Sequence, residues 1–116
     1  MKLPNLDEAI IPREKIVDYL LSKTHKDGRG KAEFFLQYGF SAESWEILAA
    51  ALKKHAETYE VNKTELSPFG MRYIIEGGIL APDKNMPFIR AVWFVDTGMS
   101  TPRFVTAYPQ RMKDND

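Results

Sequence analysis

Apolar residues recur at helical spacing in the first half of the chain and at alternating positions in the second half. Residues 12–21 carry apolar side chains at positions i, i+3 and i+4, which is typical of one face of a helix. Residues 29–38 show the same spacing and predict a second helix. Gly39 fits the left-handed cap position after that helix, and Phe40 is expected to fold back onto its last turn.

The third predicted helix has the clearest apolar stripe in the chain. Ser41 is its expected N-cap, and Glu43 is favourable near the positive end of the helix. The stripe consists of Trp45, Leu48, Ala49, Leu52, Ala56 and Tyr59. His55 lies at the edge of this stripe, so we interpret it as a structural residue.

After residue 60 the pattern becomes that of β-strands. Strands are predicted over residues 61–66, 71–75, 88–95 and 103–108. Residues 67–70 form a turn, whereas Gly77 and Gly78 begin a break that continues as a loop to residue 87. This order predicts an α+β fold, with about three N-terminal helices packed on a C-terminal antiparallel sheet of about four strands.

Length and composition restrict the class of protein. The 116 residues predict one domain over residues 1–116, with a frayed tail over 110–116. The absence of cysteine excludes disulfides and thiolate chemistry, and it fits a reducing compartment. No apolar run reaches the roughly 20 residues that span a bilayer, and the first residues lack the features of a signal peptide. We therefore expect a cytoplasmic protein with no membrane partner.

Familiar cofactor and metal motifs are absent from the sequence. It contains no glycine-rich phosphate loop, no nucleophile elbow and no zinc-binding histidine pair. Two histidines without any cysteine make a transition-metal site built from protein ligands alone unexpected. The acidic residues form no close group of the kind that binds Mg²⁺. We therefore expect neither a cofactor nor a metal.

Although the formal net charge is zero, positive charge is concentrated in two segments, residues 23–31 and 84–111. Each segment has four basic residues against one acidic residue, a local charge of +3. In the first, a loop with His25 leads to a helix N-terminus near Lys31, an arrangement suited to a phosphate. His25 is also able to move protons near neutral pH. An ordinary solvent-exposed loop is the alternative.

The second segment provides polar groups on predicted strands. Period-two alternation places Arg90 on one face of its strand, and it places Phe104, Thr106 and Tyr108 together on one face of the last strand. An arginine, a threonine and a tyrosine on one sheet face would bind a phosphodiester and orient a ribose hydroxyl.

Each of these residues also has an ordinary structural explanation. Arg90 is able to form an ion pair with Asp96 or Glu76. Thr106 and Tyr108 are explained equally well as half-buried strand residues.

The chain resembles a bacterial family known as domain of unknown function 6883. The resemblance lies in the order and spacing of four segments: residues 3–5, 20–40, 90–96 and 102–109. The likeness covers essentially the whole chain. The helices followed by a sheet that ends in Val-Thr-Ala-Tyr-Pro are also similar, more remotely, to the barnase/EndoU/colicin/RelE-like nucleases. Those proteins are compact, metal-independent RNases of toxin–antitoxin pairs and polymorphic toxins.

The remote resemblance implies an endoribonuclease in which the ribose 2′-OH attacks the adjacent phosphate and leaves a 2′,3′-cyclic end. Members use varied mixtures of polar residues, so no fixed catalytic set is carried over. The residues predicted to be catalytic are His25 as general acid or base, Lys31 and Arg90 as phosphate-stabilising cations, and Thr106 and Tyr108 as positioning groups. Those predicted to bind RNA are Lys26, Arg29, Arg72 and Arg103.

The expected partners are an RNA substrate and a cognate antitoxin or other protein. Two alternatives remain open. One is a non-catalytic binding module, such as an antitoxin, an immunity protein or an adaptor. The other is a degenerate nuclease fold that binds RNA without cutting it.

Overall fold

A computed structural model of the chain describes residues 1–26 and 29–110, with Arg29 described by its backbone alone. Within these ranges, a short 3-10 helix (Leu6–Glu8) and three longer helices precede four strands, which confirms the predicted α+β class. Buried side chains from the helices and from one face of the sheet form the hydrophobic core. No helix in the described ranges is long and apolar enough to cross a membrane.

The first helix, α1, has two kinds of turn. It is α-helical over Arg13–Lys15 and continues as a π-helical turn over Ile16–Leu20. Ile16 and Leu20 are fully buried, as their spacing predicts. Tyr19, on the same turn, is only partly buried.

The second helix, α2, spans Arg29–Gln37 and ends in the predicted way. Gly39 has a φ angle of +101°, in the left-handed region that favours glycine. The backbone N–H of Phe40 then donates to the carbonyl of Phe35, and the centroids of their rings are 6.0 Å apart. Phe40 therefore folds back onto the last turn of α2.

The third helix, α3, spans Trp45–Thr58 and begins later than predicted. Ser41 is not its N-cap, because the Oγ atom of Ser41 instead accepts a hydrogen bond from the backbone of Ser44 in the preceding turn. The buried residues of α3 are Leu48, Leu52, His55 and Ala56. The apolar stripe therefore faces the core, and His55 is buried beside it.

The four strands form an antiparallel sheet in chain order: β1 (Lys63–Ser67), β2 (Gly70–Gly78), β3 (Phe88–Asp96) and β4 (Arg103–Pro109). The predicted break at Gly77 and Gly78 is wrong, because both residues continue β2 and pair with β3. Glycine at position 77 allows the ring of Tyr59 to pack closely against β2. A Cβ atom there would lie 2.5 Å from the ring of Tyr59, just after α3.

A β-bulge in β4 changes which side chains share a face. Phe104 pairs with Trp93 and belongs to the core, whereas Thr106 pairs with Val92 and faces away from it. The prediction that Phe104 shares a face with Thr106 and Tyr108 is therefore wrong. The register shift between Val92 and Trp93 inserts one extra residue into β4, and alternation resumes beyond it.

The face of the sheet opposite the core is called the outer face below. By register its polar and charged side chains are Lys63, Glu65, Ser67, Arg72, Glu76, Arg90, Asp96, Arg103, Thr106 and Tyr108. The same face also carries Phe88 and Phe94, and its apolar residues Ile74 and Val92 are buried.

One end of β4 is covered by the N-terminal segment. Ile10 forms a parallel bridge with Arg103, in which its N–H donates to the carbonyl of Pro102 and its carbonyl accepts from the N–H of Phe104, each over 2.9 Å. The bridge brings the following helix, α1, to the edge of β4. At the other end of β4, the backbone N–H of Gln110 donates to the carbonyl of Phe88. The rest of the predicted tail, residues 111–116, lies outside the described residues.

Candidate functional site

Two distant parts of the sequence meet at Tyr19 of α1, beside β4. The hydroxyl of Tyr19 lies 3.0 Å from Oγ1 of Thr106. The ring of His25 packs perpendicular to the Tyr19 ring, with 5.1 Å between centroids. The ammonium nitrogen of Lys31 lies 5.2 Å from the centroid of the same ring. We call these four residues the Tyr19 cluster.

The backbone around His25 explains its position. After α1, the Oγ atom of Ser22 accepts hydrogen bonds from the backbone N–H groups of Thr24 and His25, over 3.3 and 3.1 Å. A serine hydroxyl that bonds nearby N–H groups in this way stabilises a tight turn. The turn holds the His25 ring against Tyr19. Lys31 comes from the first turn of α2.

Arg90 and Tyr108 form a second group, on the outer face of the sheet. They are direct partners across β3 and β4, and the Cζ atom of Arg90 lies 6.0 Å from the centroid of the Tyr108 ring. Nε and one terminal nitrogen of Arg90 lie 2.8 and 2.5 Å from the same carboxylate oxygen of Glu76. One of the two ion pairs considered for Arg90 is thus confirmed. Interactions with Tyr108 and then with Glu76 raise the pKa of Arg90 above its ordinary value.

The two groups are neighbours along β4. Thr106 and Tyr108 are alternate residues beyond the bulge, so they share a face and are separated by about 7 Å along the strand. The five residues predicted to be catalytic therefore lie in two adjacent groups, one joined by Tyr19 and the other by the pairing of β3 with β4.

The residues predicted to bind RNA are more dispersed. On the outer face, Arg72 donates to Glu65 over 2.7 Å, and Arg103 donates to both carboxylate oxygens of Asp96 over 2.9 and 3.2 Å. Arg103 lowers the pKa of Asp96. Lys26 is exposed in the loop before α2, and the side chain of Arg29 lies outside the described part of the structure.

Sequence reasoning missed Tyr19 as a site residue, because its spacing matched the apolar face of α1. Lys15, one turn earlier, places its Nζ atom 5.4 Å from the Tyr19 ring. Residues four apart on a helix are neighbours, so a lysine four residues before a tyrosine was the available signal. No group of three or more His, Asp or Glu residues in the described ranges is placed to hold a metal ion.

His55 lies apart from these groups, as predicted, in the interior. It is 2% exposed, and its Nε2 atom lies 3.2 Å from the carbonyl oxygen of Gly77. Among the described residues, its Nδ1 atom has no hydrogen-bond partner. Desolvation by burial lowers the pKa of His55 from 6.5 to about 4, although the bond to Gly77 opposes the shift.

A third feature is an apolar groove of about 350 Å³ beside α3. It is lined by Ile47, Ala50, Ala51, Lys54, His55, Thr58, Tyr59, Gly78, Leu80 and Met86. Ile47, Leu80 and Met86 are 51%, 60% and 57% exposed, so the groove has an apolar rim in contact with solvent.

These observations describe an α+β fold with helices on one side of a four-stranded antiparallel meander. The chain belongs to the family described as domain of unknown function (DUF6883), whose model matches residues 2–111. Its fold is similar to that of a chain from a contact-dependent growth inhibition toxin–immunity protein complex from Klebsiella pneumoniae 342. The two chains are 16% identical, with a TM-score of 0.70 over 87% of this chain and 99% of that one. No curated protein matches the sequence.

Proposed function

We propose that the protein is a metal-independent endoribonuclease of the toxin type, acting on RNA in the cytoplasm. The observation that carries the proposal is the Tyr19 cluster, in which His25, Lys31 and Thr106 converge from separate parts of the chain. These groups are a proton carrier, a cation and a hydroxyl. Transphosphorylation of RNA uses proton transfer and positive charge around the phosphate, and the first two of these groups can supply them.

In this reaction the 2′-oxygen of a ribose forms a bond to the adjacent phosphorus, and the bond from phosphorus to the 5′-oxygen breaks. A base takes the proton of the 2′-OH, and an acid gives a proton to the leaving 5′-oxygen. His25 performs one of these transfers, and a solvent water molecule performs the other. Lys31 stabilises the negative charge on the pentacoordinate phosphate, while Thr106 and Tyr108 position the scissile group.

Arg90 is the second cation assigned to the phosphate. Nε and one terminal nitrogen already face Glu76, so part of its donor capacity is used within the protein. Arg90 contacts the substrate beside Tyr108, next to the reacting phosphate.

The comparisons support a toxin or immunity role more broadly. The similar fold comes from a toxin–immunity protein complex, in which a toxin is paired with an immunity protein. We propose that a cognate antitoxin or immunity protein binds this chain and covers the Tyr19 cluster.

The test is cleavage of mixed cellular RNA by purified protein in EDTA, followed by analysis of the new RNA ends. We expect 2′,3′-cyclic phosphate ends, and a loss of rate of about 100-fold or more in His25→Ala and Lys31→Ala. Lys54→Ala is the matched control, because it removes an exposed lysine from α3, with a side chain 71% exposed. This control should cleave like the wild type.

Two results would contradict the proposal. One is intact RNA after incubation with folded wild-type protein. The other is a Lys31→Ala variant that remains folded and cleaves as fast as Lys54→Ala.

A non-catalytic binding module is the second candidate function, and the apolar groove beside α3 favours it. Exposed apolar patches commonly mark protein interfaces. Expression in cells separates the two functions. A toxin arrests growth when it is induced alone, whereas an immunity protein is harmless alone and rescues cells from a toxin encoded beside it.

A further inference from the structure

Two aromatic rings on the outer face of the sheet each have an arginine beside them. The Cζ atom of Arg103 lies 5.1 Å from the centroid of Phe94, and that of Arg90 lies 6.0 Å from the centroid of Tyr108. Both rings are partly exposed. An arginine at this distance interacts with the ring through its planar guanidinium group.

Strand register fixes the distance between the two arginine–aromatic pairs. Phe94 is the partner of Arg103, and Arg90 is the partner of Tyr108, so both pairs bridge β3 and β4. Arg90 and Phe94 are four residues apart on β3, which corresponds to about 13 Å along the strand. The face therefore repeats the same chemical group twice on one surface.

Carboxylates occupy part of the in-plane edge of each arginine. Arg103 donates through Nε and one terminal nitrogen to Asp96, and Arg90 directs the corresponding two nitrogens at Glu76. A phosphate would have to compete with these carboxylates for the same donors and for the same charge. Hydrogen bonds from arginine lie in the guanidinium plane, so a base is able to stack on the flat face of the group without displacing these carboxylates.

We propose that the outer face binds unpaired nucleic-acid bases, which stack on the Phe94–Arg103 and Tyr108–Arg90 pairs. Bases of single-stranded RNA stack on aromatic rings and guanidinium planes, whereas bases in a duplex are already stacked on one another. The inference rests on the proposed ribonuclease function and deepens it by naming the substrate class as single-stranded RNA. Tyr108 lies next to Thr106, so a strand bound here leads directly to the Tyr19 cluster.

The test uses a short fluorescein-labelled DNA oligonucleotide of mixed sequence, because DNA lacks the 2′-OH and is not cut by transphosphorylation. Binding is measured by fluorescence anisotropy. We expect Phe94→Leu to weaken binding about tenfold or more, in line with the loss of one base-stacking contact. Phe69→Leu makes the same change at a ring of the β1–β2 turn that is 78% exposed, and it should bind within about twofold of the wild type.

Arg103→Lys separates stacking from phosphate binding. Lysine keeps the positive charge beside Asp96 but has no planar group. The proposal expects weaker binding by Arg103→Lys, with the same salt dependence as the wild type, and at least about tenfold weaker binding of the same sequence as a duplex. Circular dichroism verifies that each variant is folded.

The proposal is overturned if wild-type protein does not bind the oligonucleotide, if Phe94→Leu and Arg103→Lys both bind like the wild type, or if the duplex binds equally well. These outcomes are distinct from failure of the ribonuclease proposal. If binding depends on Phe94 and Arg103 but RNA is not cleaved, the base-binding proposal stands and the ribonuclease proposal is wrong. If RNA is cleaved but Phe94→Leu and Arg103→Lys both bind like the wild type, the ribonuclease proposal stands and the base-binding proposal is wrong.

Discussion

At the scale of single residues, His55 shows how burial changes the chemistry of a side chain. The same residue type is accessible at His25 and held against Tyr19, whereas at His55 it is enclosed by α3 and β2. Because the interior does not solvate an imidazolium ion, His55 stays neutral in the folded protein at neutral pH. Its role is to fill the core and to bond Gly77.

The depressed pKa of His55 predicts a loss of stability in weak acid. The folded-state pKa is about 4 and the ordinary value is 6.5. Below pH 6.5 the unfolded chain therefore binds a proton that the folded chain rejects, and this cost grows until the pH reaches about 4. The contribution amounts to about 3 kcal/mol when the shift is converted at about 1.4 kcal/mol per unit.

Urea unfolding at pH 7, 5.5 and 4.5 tests this prediction. His55→Gln is the matched variant, because an amide keeps a donor for the Gly77 carbonyl but does not titrate in this range. Its free energy of unfolding should fall less than that of the wild type over the same pH values. Equal losses in the two proteins would show that His55 is not the group responsible.

At the scale of elements, the position of α1 depends on one short backbone bridge. Ile10 covers the end of β4 through hydrogen bonds with Pro102 and Phe104, and α1 then brings Tyr19 to Thr106. Helical spacing predicted that α1 exists. It did not predict which strand α1 lies beside, because that choice is made by a contact between residues far apart in the chain.

Ile10→Pro tests this bridge. Proline removes the N–H that donates to Pro102, whereas the preceding residue, Ala9, already has the φ and ψ of −61° and 142° that a following proline requires. We expect a loss of about 1–2 kcal/mol in the free energy of unfolding, the cost of one backbone hydrogen bond whose acceptor is left unpaired.

Ile10→Ala is the control for this substitution. It removes a side chain that is 54% exposed and keeps the N–H, so it should cost much less. Equal stability of the two variants, measured by chemical denaturation, would show that the bridge contributes little.

At the scale of the whole molecule, opposite charges are paired across strands. The sequence shows two positive segments, but on the outer face Arg72, Arg90 and Arg103 each contact a carboxylate from a neighbouring strand. The acidic partners come from β1, β2 and β3 respectively. A zero net charge is therefore partly a property of this one surface. In the Tyr19 cluster, Lys31 lies beside the ring of Tyr19, whose hydroxyl contacts Thr106.

The shared core predicts that helices and sheet unfold together as one domain. Trp93 is fully buried among residues of both layers, so its fluorescence reports on the same core that stabilises the helices. In Trp45→Phe, Trp93 is the sole tryptophan. Its unfolding curve and the helical circular dichroism signal should have coincident midpoints in urea. Separate midpoints would show that the two layers unfold independently.

The sequence by itself determined the order and type of the elements. Helical spacing, strand alternation and turn preferences depend on residues that are close together in the sequence. For this reason the α+β class, the end of α2 near Gly39 and the burial of the α3 stripe were predictable. The start of α3 was misplaced because Ser41 is equally suited to cap the turn before it. Gly77 and Gly78 were misread as a break in the strand. At Gly77 the glycine is explained by the ring of Tyr59, which comes from a distant part of the chain and packs against it.

Only the tertiary structure decided how the site is assembled. The bulge in β4 moved Thr106 and Tyr108 to the face opposite Phe104, and the edge bridge brought Tyr19 to Thr106. The pairing of β2 with β3 places Arg90 opposite Glu76, so Arg90 forms its ion pair with Glu76 rather than with Asp96. The physical reason is that strand register and the packing of helices on a sheet are set by contacts between distant residues, which local periodicity does not specify.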